Sequence, residues 1–302
     1  MNKNFVYNTN CPICESNKII NKKKIKSKHS EINLIFHLKQ CKSCGHKFLS
    51  SFPTENYLDN LYRNDSKYVF GHDENEELEK KKFINRGFFE INSLKNHWIF
   101  KFIDINKKGE YLEIGPGFCK LYKAFYDYNW KCEGLDLQPY IKAPGIVDNL
   151  YEIKNESKDV AVALDVIEHS IDPNKFLRNI HKKLKKDGKI FLSFPNADSF
   201  KSKFLDDKWG MVVPLAHLNF FSKKSIQISL EKNNFEIIFI KNYSLGNTRR
   251  YLRNTIKLPF KLIIDLIKLD FKSFLHKLKE SIITLFDIID GDQMMVVAKK
   301  NN

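Results

Sequence analysis

The stretch that most constrains this chain is Tyr111-Leu-Glu-Ile-Gly-Pro-Gly-Phe-Cys119, a short apolar run that breaks into a glycine turn. A strand ending in Gly115-Pro116-Gly117, with a helical pattern over 120–128 behind it, lets backbone approach a ligand where side chains would block it. The pattern predicts a nucleotide-binding turn. A dinucleotide fingerprint would put a third glycine at position 120, where Lys120 stands, and has no use for Glu113 two residues before the first glycine. The turn therefore reads away from NAD.

The chain after the turn alternates strand and helix. Residues 131–135 read as the next strand and end at Asp136, 21 positions after Gly115. A carboxylate there reaches ribose hydroxyls in doubly wound nucleotide folds; an exposed strand-end aspartate is the alternative. Residues 145–148 read as a short third strand closed by Asp148. Residues 159–164 read as a fourth, running into Asp165-Val-Ile-Glu168-His169-Ser-Ile-Asp172-Pro173. Pro173 suits the first turn of a helix reaching 186, with Asp172 as its cap. Asp187-Gly188 ends that helix, and 189–194 reads as a fifth strand. Ahead of the glycine turn, Ile84, Phe88, Ile91, Leu94, Trp98 and Phe102 recur at helical spacing and predict an amphipathic helix over 83–103. The alternation implies an α/β fold with a parallel sheet whose ligands collect at the carboxyl ends of the strands.

The N-terminal part has a different signature. Cys11-Pro-Ile-Cys14 and Cys41-Lys-Ser-Cys44-Gly45-His46 are two Cys-x-x-Cys knuckles, each of which brings two thiolates to one side of a tight bend. Together Cys11, Cys14, Cys41 and Cys44 make a tetrahedral soft-ligand site suited to structural zinc, with a strand at 32–38 between the knuckles as in a zinc ribbon. A disulfide pair and a redox motif are the alternatives. His46 is either a substitute ligand or a bystander. Residues 1–52 form this module, and a polar and aromatic connector, 53–82, follows it. The charged run at 73–82 reads as a solvated helix face.

The net charge of +15 raises nucleic acid or an anionic membrane as partners. The lysines are spread along the chain instead of gathered into an aromatic-interleaved patch, so Lys-rich solvated surface is the simpler reading and nucleic acid is not expected. The N-terminus lacks an apolar signal region, and no run reaches the ~18 uninterrupted apolar residues of a spanning helix, so a soluble, cytoplasmic protein is expected. Residues 244–290 read as a helical insertion in which Lys257, Lys261, Asp265, Lys268, Lys272 and Lys279 draw one charged stripe. Its segment 256–289 would cover an acceptor cleft, meet a second subunit in a homodimer, or lie on an anionic membrane face.

Leu112-Glu113-Ile-Gly115-Pro-Gly117, Gly134-Leu-Asp136, the run from Ala163 to Pro173, Asp187-Gly188-Lys189-Ile190 and His217-Leu-Asn-Phe-Phe-Ser222 together resemble the class I S-adenosylmethionine-dependent methyltransferases. Within them the likeness is to the branch that modifies small molecules and sugars. The double Cys-x-x-Cys module is similar to that of sugar methyltransferases. The resemblance implies a Rossmann-like, seven-stranded, mainly parallel sheet with its last strand antiparallel, occupying residues 83–302. It implies that Glu113, Gly115 and Gly117 shape the pocket for the methionine part of S-adenosylmethionine, that Asp136 holds the ribose and Asp148 the adenine amino group, and that Asp165 sits beside the sulfonium. His169 and His217 fall where the family places active-site residues, and an imidazole can take a hydroxyl proton as the methyl arrives. In the 196–216 loop, Trp209 is an acceptor contact or core filling. The expected function is methylation of a small-molecule or glycan acceptor, a sugar, nucleotide-sugar or surface-polysaccharide precursor. An RNA or protein methyltransferase and a non-catalytic zinc-ribbon interaction protein are the alternatives.

Overall fold

The computed structural model describes residues 3–26, 35–64, 87–244 and 290–301, together with 272–275, 277, 278 and 282. The charged run at 73–82 and nearly all of the charged stripe in the insertion lie outside the described residues. Among the described residues no helix is long and apolar enough to cross a membrane.

The first strands build the N-terminal module: β1 (Phe5–Tyr7), β2 (Ile19–Lys26), β3 (Ile35–Cys41), β4 (Lys47–Leu49) and β5 (Ser51–Pro53). Helix α1 (Glu55–Asn64) follows. The main sheet holds β6 (Glu110–Ile114), β7 (Lys131–Leu135), β8 (Ile146–Val147), β9 (Lys158–Leu164), β10 (Leu184–Pro195), β12 (Phe235–Tyr243) and β13 (Gln293–Lys300). Its order is β12-β13-β10-β9-β6-β7-β8. The strands from β10 to β8 run parallel, and β13 is antiparallel to both of its neighbours. This is the doubly wound, Rossmann-like architecture expected from the sequence.

Period-two alternation sorts the strands onto two layers. Leu112, Ile114, Ala161 and Ala163 face one core with Leu177 and Ile180 of α3 (Pro173–Lys183) and Ile226 and Leu230 of α4 (Lys223–Lys232). Tyr111, Val160 and Val162 face the other, against Leu121, Tyr122 and Phe125 of α2 (Lys120–Asp127). The central strands are therefore apolar on both faces, as buried parallel strands must be. The chain leaves β6 toward β7 on one side and returns to β9 on the other. That reversal opens a crevice beyond the carboxyl ends of these strands.

The helix expected over 83–103 is corrected. From 87 onward the chain makes two short 3₁₀ turns, Phe88–Glu90 and Trp98–Lys101, separated by extended backbone. Gly87 and the turn formers Asn92, Ser93 and Asn96 interrupt the helix, while Phe88, Ile91, Ile99 and Ile103 are buried all the same. The helix expected to reach 186 stops at Lys183, because Leu184 already pairs with Lys158 of β9.

The module is not a separate bead. Strand β11 (Asn219–Phe220), from the long segment after β10, pairs antiparallel with β4 and completes the four-stranded sheet β11-β4-β3-β2. Phe36, Leu38, Phe48 and Phe52 of the module share one core with Trp209, Val212, Leu215, Leu218 and Phe220.

Candidate active site

A cleft of about 680 Å³ opens where the topology reverses, lined by the loops after β6, β7, β8 and β9 and roofed by α1. Two glycines carry the β6 turn, Gly115 with φ 65° and Gly117 with φ 50°. Their constraints differ. A Cβ on Gly115 would stand 2.9 Å from Val166 Cγ2, whereas one on Gly117 would meet nothing within 4 Å among the described residues beyond its chain neighbours. Gly115 is thus fixed by the fold, and Gly117 keeps open the space a ligand would fill. Cys119 takes φ 55° at the entry to α2, the left-handed conformation glycine would adopt more cheaply.

Asp136 lines the cleft at the end of β7, where its Oδ1 accepts the Gln138 N–H at 2.9 Å and burial raises its pKa. Asp148 lines it beyond β8 and receives Arg63 Nη1 of α1 at 3.0 Å. Asp165 follows β9 with φ 55°, and its Oδ1 accepts from Ser193 Oγ at 3.2 Å. Burial raises its pKa as well. Glu113 lies elsewhere. Its side chain follows Tyr111 onto the α2 face, accepts the Tyr111 hydroxyl at 2.8 Å, and is not part of the cleft lining. Burial there pushes its pKa up to about 8.

Sequence reasoning missed α1. Glu55, Leu58, Asp59 and Tyr62 line the cleft, and the helix is tied across it by Lys175 Nζ to Glu55 at 2.6 Å and by Arg63 to Asp148. The signal was present in Leu58, Leu61 and Tyr62, spaced three and four apart in what read as a connector. Trp209 is only 2% exposed and packs in the core shared with the module, away from the cleft lining, so the acceptor-contact reading gives way to core filling.

His169 reaches the cleft wall and His217 stands behind it, with ring centroids 4.9 Å apart. His169 places Nδ1 at 2.8 Å from the Ala216 carbonyl and Nε2 at 3.1 Å from the Asp165 carbonyl. His217 Nδ1 lies 2.6 Å from the Met211 carbonyl. Burial lowers the His169 pKa and holds that of Glu168 well up.

At the module, Cys11 and Cys44 place their sulfurs 3.6 Å apart, and Cys14 and Cys41 theirs 3.5 Å apart. All four sulfurs lie within 4.8 Å of one another. Tetrahedral zinc with bonds near 2.3 Å sets sulfurs about 3.8 Å apart, so the four residues fit the ion. The knuckles close through Glu15 N–H to Cys11 O and Gly45 N–H to Cys41 O, both 2.9 Å. His46 is fully buried, with Nε2 3.2 Å from Asn219 Oδ1, and stands outside the sulfur cluster. The second knuckle is anchored to the main domain by Ser222 Oγ, which donates to the Cys44 carbonyl at 2.6 Å.

Residues 90–239 match a family described as "Methyltransferase domain". No curated protein matches the chain. Among solved structures, an S-adenosylmethionine-dependent methyltransferase from Archaeoglobus fulgidus is 14% identical, with a TM-score of 0.45 over 78% of this chain and 98% of that one. An S-adenosylmethionine-dependent methyltransferase from Mesorhizobium loti is 12% identical, with a TM-score of 0.45 over 66% and 94%. Phosphoethanolamine N-methyltransferase 2 of Haemonchus contortus, in complex with S-adenosyl-L-methionine, is 16% identical, with a TM-score of 0.43 over 94% and 69%.

Proposed function

We propose that this chain, whose residues 90–239 match the methyltransferase-domain family, is a class I methyltransferase that moves the methyl group of S-adenosylmethionine onto a hydroxyl of a sugar, nucleotide-linked sugar or surface-polysaccharide precursor. The observation that carries the reading is the grouping of Gly117, Asp136 and Asp165 around one cleft, each at the carboxyl end of a central strand.

The cofactor supplies a methyl group already activated on a sulfonium, so the protein chiefly orients the partners and excludes water. Asp136 would accept the ribose hydroxyls, and Asp148, steadied by Arg63, would border the adenine. Asp165, held by Ser193, would place a carboxylate beside the positive sulfonium. Tyr62, Tyr140 and Phe176 give the cleft aromatic walls that suit the C–H faces of a sugar ring. The acceptor proton would leave at the histidine pair, where His169 faces the cleft. Zinc on Cys11, Cys14, Cys41 and Cys44 would be structural, because four thiolates close its coordination and leave no place for substrate.

The test is incubation of the protein with isotopically labelled cofactor and extracted cell metabolites, followed by mass spectrometry. A labelled glycan or nucleotide-sugar is the expected product. Label appearing only in RNA or protein would overturn the acceptor class, and failure to bind the cofactor at millimolar concentration would overturn the enzyme reading.

A further inference from the structure

Glu168 has no role in the reaction just described, yet it is the most deeply buried carboxyl group among the described residues. Beyond Asp165 the chain turns through the 3₁₀ segment Ile167–His169, which directs Glu168 inward. The residue is 1% exposed, and neither carboxylate oxygen has a hydrogen-bond partner among the described residues. A buried carboxyl without a partner either keeps its proton or takes up a cation, and it can do the second only where other ligands meet it.

Two imidazoles converge on the same point. A carboxylate oxygen of Glu168 and ring nitrogens of His169 and His217 lie within 4.8 Å of one another. A neutral imidazole has one N–H. If His169 gives it to Ala216 at 2.8 Å, its Nε2 lone pair faces the Asp165 carbonyl at 3.1 Å, acceptor against acceptor. Two ligands at right angles around a divalent ion with bonds near 2.1–2.2 Å stand about 3.0 Å apart, which is the spacing seen. At His217, Nδ1 against the Met211 carbonyl at 2.6 Å fixes the tautomer with its lone pair on Nε2, the outer-shell arrangement of a metal-binding histidine.

We propose that Glu168, His169 and His217 hold a divalent metal ion, with the Asp165 carbonyl as a further oxygen ligand. One carboxylate, two imidazoles and a carbonyl make a mixed nitrogen and oxygen donor set, suited to Mn²⁺, Fe²⁺ or Zn²⁺ and distinct from the all-sulfur set of the module. The ion would join the 165–172 loop to the 211–221 segment. Its consequence for catalysis rests on the methyl-transfer reading and takes the place of the histidine pair as proton acceptor: an acceptor hydroxyl held at this ion would become acidic enough to release its proton to water, and the imidazoles would act through the metal.

The experiment is Mn²⁺ titration of the full-length, zinc-loaded protein followed by electron paramagnetic resonance, with no cofactor or acceptor present. The expected result is one Mn²⁺ bound per chain, displaced by added Zn²⁺, with binding weakened roughly tenfold or more in both Glu168→Gln and His217→Gln. Zinc content and the unfolding temperature of each variant report whether it is folded. If one variant fails to fold, the other carries the comparison. No Mn²⁺ bound at about 1 mM together with a single zinc per chain in excess zinc overturns the proposal; so does unchanged binding in a folded variant. Cofactor binding is measured separately, so failure of the methyl-transfer reading would not be mistaken for failure of this one.

Discussion

Asn219 Oδ1 lies 3.2 Å from Nε2 of the fully buried His46, and the same amide donates through Nδ2 to the Ser170 carbonyl at 2.6 Å. One side chain thus links the residue two places after Cys44 to the loop that borders the cleft. Asn219→Ala leaves a buried imidazole nitrogen and a carbonyl unpaired, a loss of about 2–4 kcal/mol. Urea unfolding of the zinc-loaded protein measures it, and a loss below about 0.5 kcal/mol would show that water repairs the link.

The same continuity makes metal removal a test of the whole fold. The sulfur cluster shares its core with Leu177 and Ile180 of α3, and Asn174 donates to the Pro12 carbonyl at 3.0 Å. Four thiols packed this closely cannot all ionise without a cation between them. Cys44→Ser or a strong chelator is therefore expected to lower the urea midpoint of the entire chain in a single transition, because binding energy of a structural metal is folding energy. Two separated transitions would instead mean that the module unfolds by itself.

The central sheet was legible in the sequence because its strands are apolar on both faces and end in turn residues, so β6, β7, β9 and β10 announce themselves without any knowledge of their partners. The cleft's acidic rim was legible for the same reason: Asp136 and Asp165 stand at strand ends. What escaped was set by long-range pairing. Nothing local to Asn219 and Phe220 says that they complete a sheet begun at Ile19, and nothing local to Glu55 says that its helix roofs a cleft built some sixty residues later. Glu113 shows the limit of motif reading. Its position in the motif pointed to the cofactor, but alternation along β6 turns it to the other layer, beside Tyr111.

Gly115 and Gly117 separate folding from binding. Gly115→Ala sets a methyl 2.9 Å from Val166 Cγ2 at a left-handed φ and should cost about 1–3 kcal/mol of stability. Gly117→Ala meets nothing among the described residues beyond its chain neighbours, so its stability cost is limited to the roughly 1 kcal/mol of the left-handed backbone, while cofactor affinity falls about tenfold or more. Calorimetric titration with S-adenosylmethionine beside thermal unfolding distinguishes the two. Equal cofactor affinity in wild type and Gly117→Ala would remove Gly117 from the cofactor site.

His217 stands behind His169 and away from the cleft lining. His217→Ala should therefore leave cofactor affinity within about twofold while lowering methyl transfer to the acceptor by roughly 100-fold. The two are read by calorimetry and by single-turnover transfer once the labelling experiment has supplied the acceptor. Transfer at the wild-type rate would leave His217 a packing residue.

Glu113 gives a pH signature of the buried layer. Burial raises its folded pKa to about 8, against an unfolded value near 4.5, with the Tyr111 hydrogen bond opposing the rise. Below the unfolded value both states carry the proton and the contribution is fully present. Between the two values the unfolded chain has released the proton while the folded chain still holds it, so stability falls as pH rises, by at most about 1.4 kcal/mol per pH unit, until the folded group ionises near 8. Glu113→Gln keeps an oxygen to accept the Tyr111 hydroxyl and has no proton to lose. Its stability should hold between pH 5 and pH 8 better than that of wild type, with the gap widening steadily across the window. Urea midpoints at several pH values read the effect directly. Parallel curves for the two proteins would mean that Glu113 is already ionised in the folded state at pH 5, compensated by a cation or water at the foot of the glycine turn.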